Sequence, residues 1–412
     1  MKKIIDITSK YIKTFVKWTI LSIIIGGLCG AVGALFHHLL DYVTHFRAHN
    51  TYIIYFLPLA GLIIALLYKL AKNFGKIDTD RIIKAVGADG DVPFVTVPLI
   101  FISTIITHLF GGSAGREGAA LQLGGGIGYN FGKIFKFSSK DIHILTMAGM
   151  GSVFSALFST PVAAAVFAIE VANVGSFNIT SFLPCIIASS SAYFVSGFMG
   201  VEPLNIVPLV FNNPSATFAL KIIALSLICA LCSILFCVSV KSSEHYMKRF
   251  FPNPFWRIFV GGIAIAALTF IVGTFDYNGA GMDVVLKALS GKARTFDFIL
   301  KIIFTSITIA AGFKGGEIVP SFFIGATLGC VVSPLLGVDA ALGASVGMIA
   351  MFCGMVNCPL ASVLIAIELF GSNGMLFYAI ASSVSYIMSG HFSLYKEQHF
   401  VYSKLTADIY EN

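Results

Sequence analysis

The chain has 412 residues, of which 57% are hydrophobic and only 11% are charged. Because soluble domains carry about 25% charged residues, and because the mean hydropathy is +0.88, this composition excludes an ordinary water-soluble protein. The formal net charge of +7 comes from scattered short loops and not from a basic stripe, which argues against nucleic-acid binding. We therefore expect an all-α, polytopic membrane protein, embedded in a lipid bilayer as one domain over residues 1–412.

The first two apolar segments predict how the chain is oriented. Residues 18–40 follow five lysines and form a stretch that is too long for a signal peptide. The next apolar stretch, residues 53–70, leads into a second group of basic residues. The positive-inside rule then places the N-terminus in the cytoplasm and residues 37–50 outside, in a protein of the cell membrane.

Several later apolar segments are short or interrupted by Gly and Pro, as in residues 94–110, 121–131 and 322–336. Such segments predict broken or half-spanning helices, and no series of alternating segments predicts strands. A basic connector at 241–257 separates a first half, 1–240, from a second half, 258–395. The remaining residues, 396–412, predict a short tail without a regulatory domain.

The eight cysteines all fall in apolar stretches, which favours a packing role. Cys229 and Cys232 form a CxxC pair, but no second pair or neighbouring His accompanies it. We therefore expect neither a metal site nor a cofactor.

The chain contains an internal repeat. Residues 161–171 read PVAAAVFAIEV and residues 359–369 read PLASVLIAIEL, with five of eleven positions identical. A Gly-rich segment with a central glutamate precedes each copy, with Glu117 in the first and Glu317 in the second. The chain is thus predicted to be a duplicated structure.

Duplicated membrane halves commonly form transporters whose substrate site lies between the repeats, at the N-termini of discontinuous helices. We therefore predict that the two Gly-rich loops meet. Unpaired N–H groups and the helix dipole make such a site suited to an anion. The glycines that fit this interpretation, or alternatively serve close helix packing, are Gly112, Gly115, Gly118, Gly315 and Gly316.

The glutamates of these loops are candidates for moving protons, because a carboxylate at membrane depth is costly. Glu117, at a helix start, can occupy the anion site and leave when it is protonated. The alternative is a cap or an ion pair beside Arg116. Glu317 is a candidate for similar work, with Lys314 as a candidate ion partner.

The repeated glutamates Glu170 and Glu368 have two interpretations. They can cap loop backbone at the ends of their helices, or they can relay protons. We expect the structural role.

These residues resemble the chloride channel and transporter (CLC) superfamily over residues 18–395. The resemblance rests on GREG at 115–118, GGEIVP at 315–320, and Tyr395 in GHFSLY. It implies an inverted repeat of tilted, partly broken helices and a homodimer with one anion pathway per subunit. It also implies that Glu117 is the gating glutamate and that Tyr395 lines the pore.

The same resemblance implies which positions contact the anion. They are Gly115, Arg116, Gly118, Gly316, Ile318 and Tyr395.

Three departures narrow the resemblance. Residues 75–79 read GKIDT where chloride-selective members have GSGIP, Val171 replaces a second glutamate, and Glu317 replaces an apolar residue. Together with GFKGGE and the SGH segment, they are similar to the fluoride/proton antiporter clade. We therefore expect a fluoride/proton antiporter that exports fluoride. The alternatives are a chloride or general halide channel, or a chloride/proton exchanger.

An enzyme is the remaining alternative, because Ser113 lies in a G-x-S-x-G pattern. No strand precedes this serine, and no acidic residue is placed to orient the neighbouring His108. We therefore expect no enzymatic activity.

Overall fold

The structure is a computed structural model that describes residues 2–71, 78–87, 90–204, 206, 209, 211 and 215–405. Of the GKIDT segment, Gly75, Lys76 and Ile77 lie outside these residues. The described residues form sixteen α-helices: α1 (Lys2–His49), α2 (Leu57–Leu70), α3 (Thr79–Gly87), α4 (Thr96–Leu109), α5 (Glu117–Ile134), α6 (Ser139–Phe158), α7 (Pro161–Glu170), α8 (Phe182–Phe198), α9 (Ala216–Phe250), α10 (Pro254–Val272), α11 (Met282–Leu289), α12 (Asp297–Ala311), α13 (Ile318–Val332), α14 (Ala340–Val356), α15 (Pro359–Phe370) and α16 (Met375–Met388).

Seven segments of the described chain are long and apolar enough to cross a membrane: Asp6–His49, Thr51–Leu70, Ser139–Phe158, Ile179–Phe198, Ala216–Phe250, Pro254–Val272 and Ile318–Leu336. A helix pairs its backbone N–H and C=O groups internally, which is necessary because hydrocarbon offers them no hydrogen-bond partners. The predicted all-α membrane architecture is therefore confirmed.

The first helix is longer than the sequence indicated. Residues 37–49, expected to connect two spans, continue α1 as regular helix. They contain no Gly or Pro that would end it. In contrast, α4 is short, with 14 residues. At 1.5 Å per residue it reaches about 21 Å, less than a bilayer core of about 30 Å.

The repeat appears as two matching helix breaks. Between α6 and α7, Ser159 takes the left-handed conformation with φ of 57°, and between α14 and α15, Asn357 does so with φ of 58°. Each break is followed by a helix that begins on proline, Pro161 or Pro359. Proline suits this position because a first-turn residue needs no N–H donor.

Glycines let α5 pack against α6, and α13 against α14, with their backbones in close contact. A Cβ on Gly124 of α5 would lie 2.0 Å from the carbonyl oxygen of Gly149 on α6. In the second repeat, a Cβ on Gly325 of α13 would lie 2.4 Å from that of Gly347 on α14. For these glycines close helix packing is the observed role.

The tail brings in a short strand pair that the sequence did not predict. β1 (Asn173–Val174) pairs in parallel with β2 (His399–Phe400). Further along, the Lys404 ammonium donates to Asn357 Oδ1 over 2.5 Å. The described part of the tail is thus fixed to the segment that follows α7 in the first repeat and to the helix break of the second. All eight cysteines are buried and free, as predicted.

Candidate functional site

The two Gly-rich loops meet, as the repeat predicted. Gly115 and Gly316 form an isolated antiparallel bridge in which each N–H donates to the other's carbonyl oxygen over 2.6 Å. This bridge holds the N-terminus of α5 beside that of α13. Because these two glycine donors satisfy each other, the backbone donors without an intrahelical acceptor are those of the two first helical turns.

Only glycine fits this crossing. A Cβ on Gly316 would lie 2.2 Å from the backbone nitrogen of Gly118, and one on Gly315 would lie 2.4 Å from the Ala114 Cβ. Neither separation is possible between real atoms without moving the backbone. The glycines predicted for the anion site are therefore needed to bring the loops together.

Glu117 is the first residue of α5 and is 1% exposed. Its Oε2 accepts the Arg116 backbone N–H over 3.0 Å, and its Oε1 lies 3.1 Å from Arg116 Nε. Arg116 also contacts His37 Nδ1 at 2.8 Å. The carboxylate thus pairs with Arg116, which is the geometry of the ion-pair alternative. Occupation of an anion site by Glu117 stays a prediction.

Glu317 and Tyr395 lie together beside the paired loops. Both line a cavity of about 260 Å³, which we call the vestibule. Among the described residues, Glu317 Oε2 and Tyr395 Oη are buried atoms without a hydrogen-bond partner. Glu317 Oε2 lies only 3.2 Å from where a Cβ on Gly118 would sit. Glu317 therefore stands between the vestibule and the start of α5, and buried Ile318 follows it as the first residue of α13.

The vestibule is lined with charge. Its cations are Lys241, Lys248, Arg257, Lys314 and Lys396, and its acids are Asp78, Asp80, Glu244 and Glu317. Glu244 bonds both Lys248 and, over 2.9 Å, Lys396. The described end of the GKIDT segment contributes here too, since Thr79 accepts from Gln122 over 2.9 Å. Such a lining suits an ion and not an apolar solute.

Two buried cations near the first Gly-rich loop were missed in the sequence analysis. Lys301 is fully buried and donates to the carbonyl oxygens of Gly279 at 2.8 Å and Tyr277 at 3.1 Å. Arg47 is 9% exposed and donates to the His108 carbonyl oxygen. Among the described residues, no carboxylate lies within ion-pair distance of either cation. Both side chains are instead held by backbone carbonyl oxygens. For Lys301, a lysine inside an apolar helix was the signal available in the sequence.

Ser113 is fully buried, and its hydroxyl lies 3.1 Å from that of Thr305. The nearby His108 instead bonds the Thr104 carbonyl oxygen through Nδ1 over 2.9 Å. Serine and histidine are therefore held by separate partners. No group of three or more His, Cys, Asp or Glu side chains in the described chain is placed to hold a metal ion.

Glu170 and Glu368 cap helices, but not their own. Glu170 accepts the backbone N–H groups of Leu360 and Ala361, at 3.1 and 2.9 Å, in the first turn of α15. Glu368 accepts those of Val162 and Ala163, at 3.0 and 2.8 Å, in the first turn of α7. The geometry fits the structural role that was expected, with the difference that each glutamate caps the helix of the other repeat.

We expect Glu170→Gln to destabilise the protein by about 1–3 kcal/mol, because an amide offers one acceptor where two N–H groups need one each. In the proton-coupled anion transport that the sequence predicts, the ratio of protons to anions is expected to stay unchanged. Thermal unfolding followed by size-exclusion chromatography, together with flux assays, measures both. Glu202→Gln, at an exposed position, is the control. A changed ratio with unaltered stability would instead make Glu170 a proton relay.

Comparison with known proteins places the chain in a family. The family model described as voltage gated chloride channel matches residues 60–390. The chain belongs to the CLC family. A chloride/fluoride channel protein of Pseudomonas syringae pv. tomato is 32% identical over 395 residues, covering 94% of this chain and 87% of that protein.

Two solved CLC structures share the fold. A CLC-type fluoride/proton antiporter superposes with a TM-score of 0.89 at 32% identity, covering 93% of this chain and 98% of that one. A slow cyanobacterial Cl⁻/H⁺ antiporter superposes with a TM-score of 0.77 at 20% identity, covering 90% and 94%. The predicted CLC architecture is thereby confirmed, and the chain is an anion transporter of this family.

Proposed function

We propose that this CLC protein exports fluoride in exchange for protons. The observation that carries the proposal is the position of Glu117 and Glu317, two carboxylates that flank the Gly115–Gly316 bridge. Fluoride is small and strongly hydrated, so its site must supply compact hydrogen-bond donors in place of water. A protonated carboxyl group is such a donor and also carries the proton.

In this mechanism the anion enters the vestibule and meets Glu317 and Tyr395, whose hydroxyl has no partner among the described residues. The first-turn N–H groups at Gly118 and Ile318 then donate hydrogen bonds to the anion in place of water. The anion competes with the Glu117 carboxylate for the start of α5, while Arg116 holds that carboxylate when it is charged. A carboxyl displaced in this way takes up a proton and returns with it.

The membrane potential sets the direction. In a cell with a negative interior, an anion that leaves and a proton that enters each gain about 2.3 kcal/mol per 100 mV. We propose that the N-terminus and the vestibule face the cytoplasm of the cell membrane, since basic segments gather on that side. Fluoride then enters the vestibule from inside and leaves outward.

We further propose a homodimer with a separate pathway in each subunit. Each subunit is a single membrane domain of two halves, 1–240 and 258–395, with the vestibule and the bridge between them. Multi-angle light scattering of the purified protein measures the number of subunits.

Chloride/proton exchange is the second candidate. A protein of Salmonella arizonae named H(+)/Cl(−) exchange transporter ClcA is 26% identical over 391 residues, covering 87% of this chain and 82% of that protein. Val171 and Glu317, neither of them usual in that group, favour fluoride.

Efflux from liposomes distinguishes the two candidates. Vesicles with the purified protein are loaded with potassium fluoride or potassium chloride, and efflux is started with valinomycin and a protonophore. We expect fluoride to leave at least about ten times faster, which corresponds to about 1.4 kcal/mol of discrimination. Without the protonophore, protons should move against fluoride. Equal or faster chloride efflux would replace fluoride with a general halide as the substrate.

A further inference from the structure

A second cavity, of about 830 Å³, lies beside the vestibule and has no part in the proposed ion pathway. Its walls come from α2, from the start of α10, and from the end of α12 with the loop that follows. Most of the residues that line it are apolar: Ile64, Ala65, Pro252, Pro254, Phe255, Ile258 and Ala311. Such a lining suits hydrocarbon and not a hydrated ion.

The same cavity contains polar groups without partners. Among the described residues, the Tyr68 hydroxyl and Arg257 Nε are buried and make no hydrogen bond. The Lys69 ammonium lies 5.5 Å from the centre of the Phe255 ring, and that of Lys314 lies 4.3 Å from the Tyr68 ring. A buried hydroxyl and a buried guanidinium nitrogen left unpaired are costly, so their arrangement points to a ligand that accepts hydrogen bonds.

The charge of the cavity identifies the ligand as an anion. In the described chain, no carboxylate lies within ion-pair distance of Lys69 or Arg257. The planar guanidinium fits phosphate oxygens, and a lysine adds a point charge. Together with the apolar lining, these cations call for a ligand with an anionic head and a hydrocarbon body.

The position of the cavity identifies the source of that ligand. On α2 and α10 around it, large apolar side chains are exposed: Leu66 by 49%, Leu70 by 73% and Trp256 by 62%. Only 28% of the most apolar stretch of α10 is buried inside the protein. An exposed apolar face of this kind suits contact with the bilayer, and Trp256, at the start of α10, is a residue type enriched at headgroup depth. A ligand that reaches the cavity from this face is a membrane lipid.

We propose that an anionic phospholipid binds in this cavity, with its phosphate on Tyr68, Lys69 and Arg257 and its acyl chain along α2 and α10. The lipid also acts on transport, because Arg257, Gly312 and Lys314 line both the cavity and the vestibule. A phosphate that holds these residues fixes the loop leading to Glu317, so transport is faster in anionic lipid. The binding step is independent of the proposed function, whereas the effect on transport rests on it.

Binding is tested by native mass spectrometry of the purified protein with phosphatidylglycerol or phosphatidylcholine. We expect phosphatidylglycerol to stay bound preferentially, and Lys69→Gln with Arg257→Gln to weaken its retention about 25-fold, or about 5-fold for each cation lost. If the double variant does not fold, Lys69→Gln alone tests the site, because Lys69 is exposed. We expect this single variant to weaken retention of phosphatidylglycerol about 5-fold. Arg249→Gln is the matched control, because Arg249 is an exposed cation in the last turn of α9. Equal retention of both lipids, or retention unaffected by Lys69→Gln, overturns the site.

Transport is tested by fluoride efflux from vesicles of either lipid. We expect the wild type and Arg249→Gln to be faster in phosphatidylglycerol, and Lys69→Gln to lose most of that difference. If phosphatidylglycerol binds selectively but neither the wild type nor any variant moves fluoride in either lipid, the lipid site stands and the proposed function fails. If fluoride moves at one rate in both lipids, the proposed function stands and lipid control of transport is wrong.

Discussion

Replacing Glu117 with glutamine is expected to abolish proton movement. Glutamine has the shape of the protonated side chain and keeps the start of α5 filled, but it cannot release or take up a proton. Positioned proton transfer contributes about 100-fold or more to rates in general. We therefore expect fluoride-driven proton uptake to fall by at least about 100-fold, measured with a pH-sensitive dye outside loaded liposomes.

Glu117→Asp is the matched variant for this test. It keeps a titratable group at the same position on a side chain one methylene shorter, so we expect it to retain a measurable part of the proton uptake. Wild-type proton uptake by Glu117→Gln would show that the proton route avoids this residue. In that case the pairing of Glu117 with Arg116 would be its whole role.

Replacing Gly316 with alanine is expected to have the second large effect. The added Cβ would lie 2.2 Å from Gly118 N and 2.8 Å from Gly118 Cα, both of which are backbone atoms. The loops must then separate and give up one or both bridge hydrogen bonds to Gly115. Overpacking costs about 1–3 kcal/mol and an unmade buried hydrogen bond costs about as much, so we expect a loss of about 2–6 kcal/mol.

Thermal unfolding and anion efflux measure this loss. We expect Gly316→Ala either to fail to fold or to fold with anion efflux reduced at least about 100-fold, the equivalent of about 3 kcal/mol. Gly197→Ala is the control, because Gly197 lies in α8 and a Cβ there meets no atom within 4 Å. Normal efflux with normal stability in Gly316→Ala would mean that the bridge is not needed for transport.

The repeat was the part of the structure that sequence could predict. Two copies of one apolar segment, each ending in Glu170 or Glu368, implied a duplicated fold and two loops that meet. The Gly115–Gly316 bridge confirms that meeting. Prediction succeeded here because a repeat restricts both halves to one local structure, and because glycine marks backbone that must approach closely.

The missed features depend on contacts between distant parts of the chain. The pattern around Glu170 shows a helix end but not that its carboxylate caps α15. The pairing of β1 with β2 joins residues more than two hundred positions apart. The second cavity unites Lys69 with Arg257, whose surroundings in sequence look like ordinary basic connectors. Composition and periodicity report local environment, whereas these features arise from tertiary packing.

The exchange of caps between the repeats bears on how the two halves depend on each other. Glu170, the last residue of α7, caps α15, and Glu368, in the last turn of α15, caps α7. This is the contact rule of a two-fold symmetric dimer, in which the same residue of each copy reaches the other. Either half taken alone would leave a helix start without its cap and a carboxylate without its backbone donors. The two halves are therefore expected to fold as one cooperative unit, because neither satisfies these groups without the other.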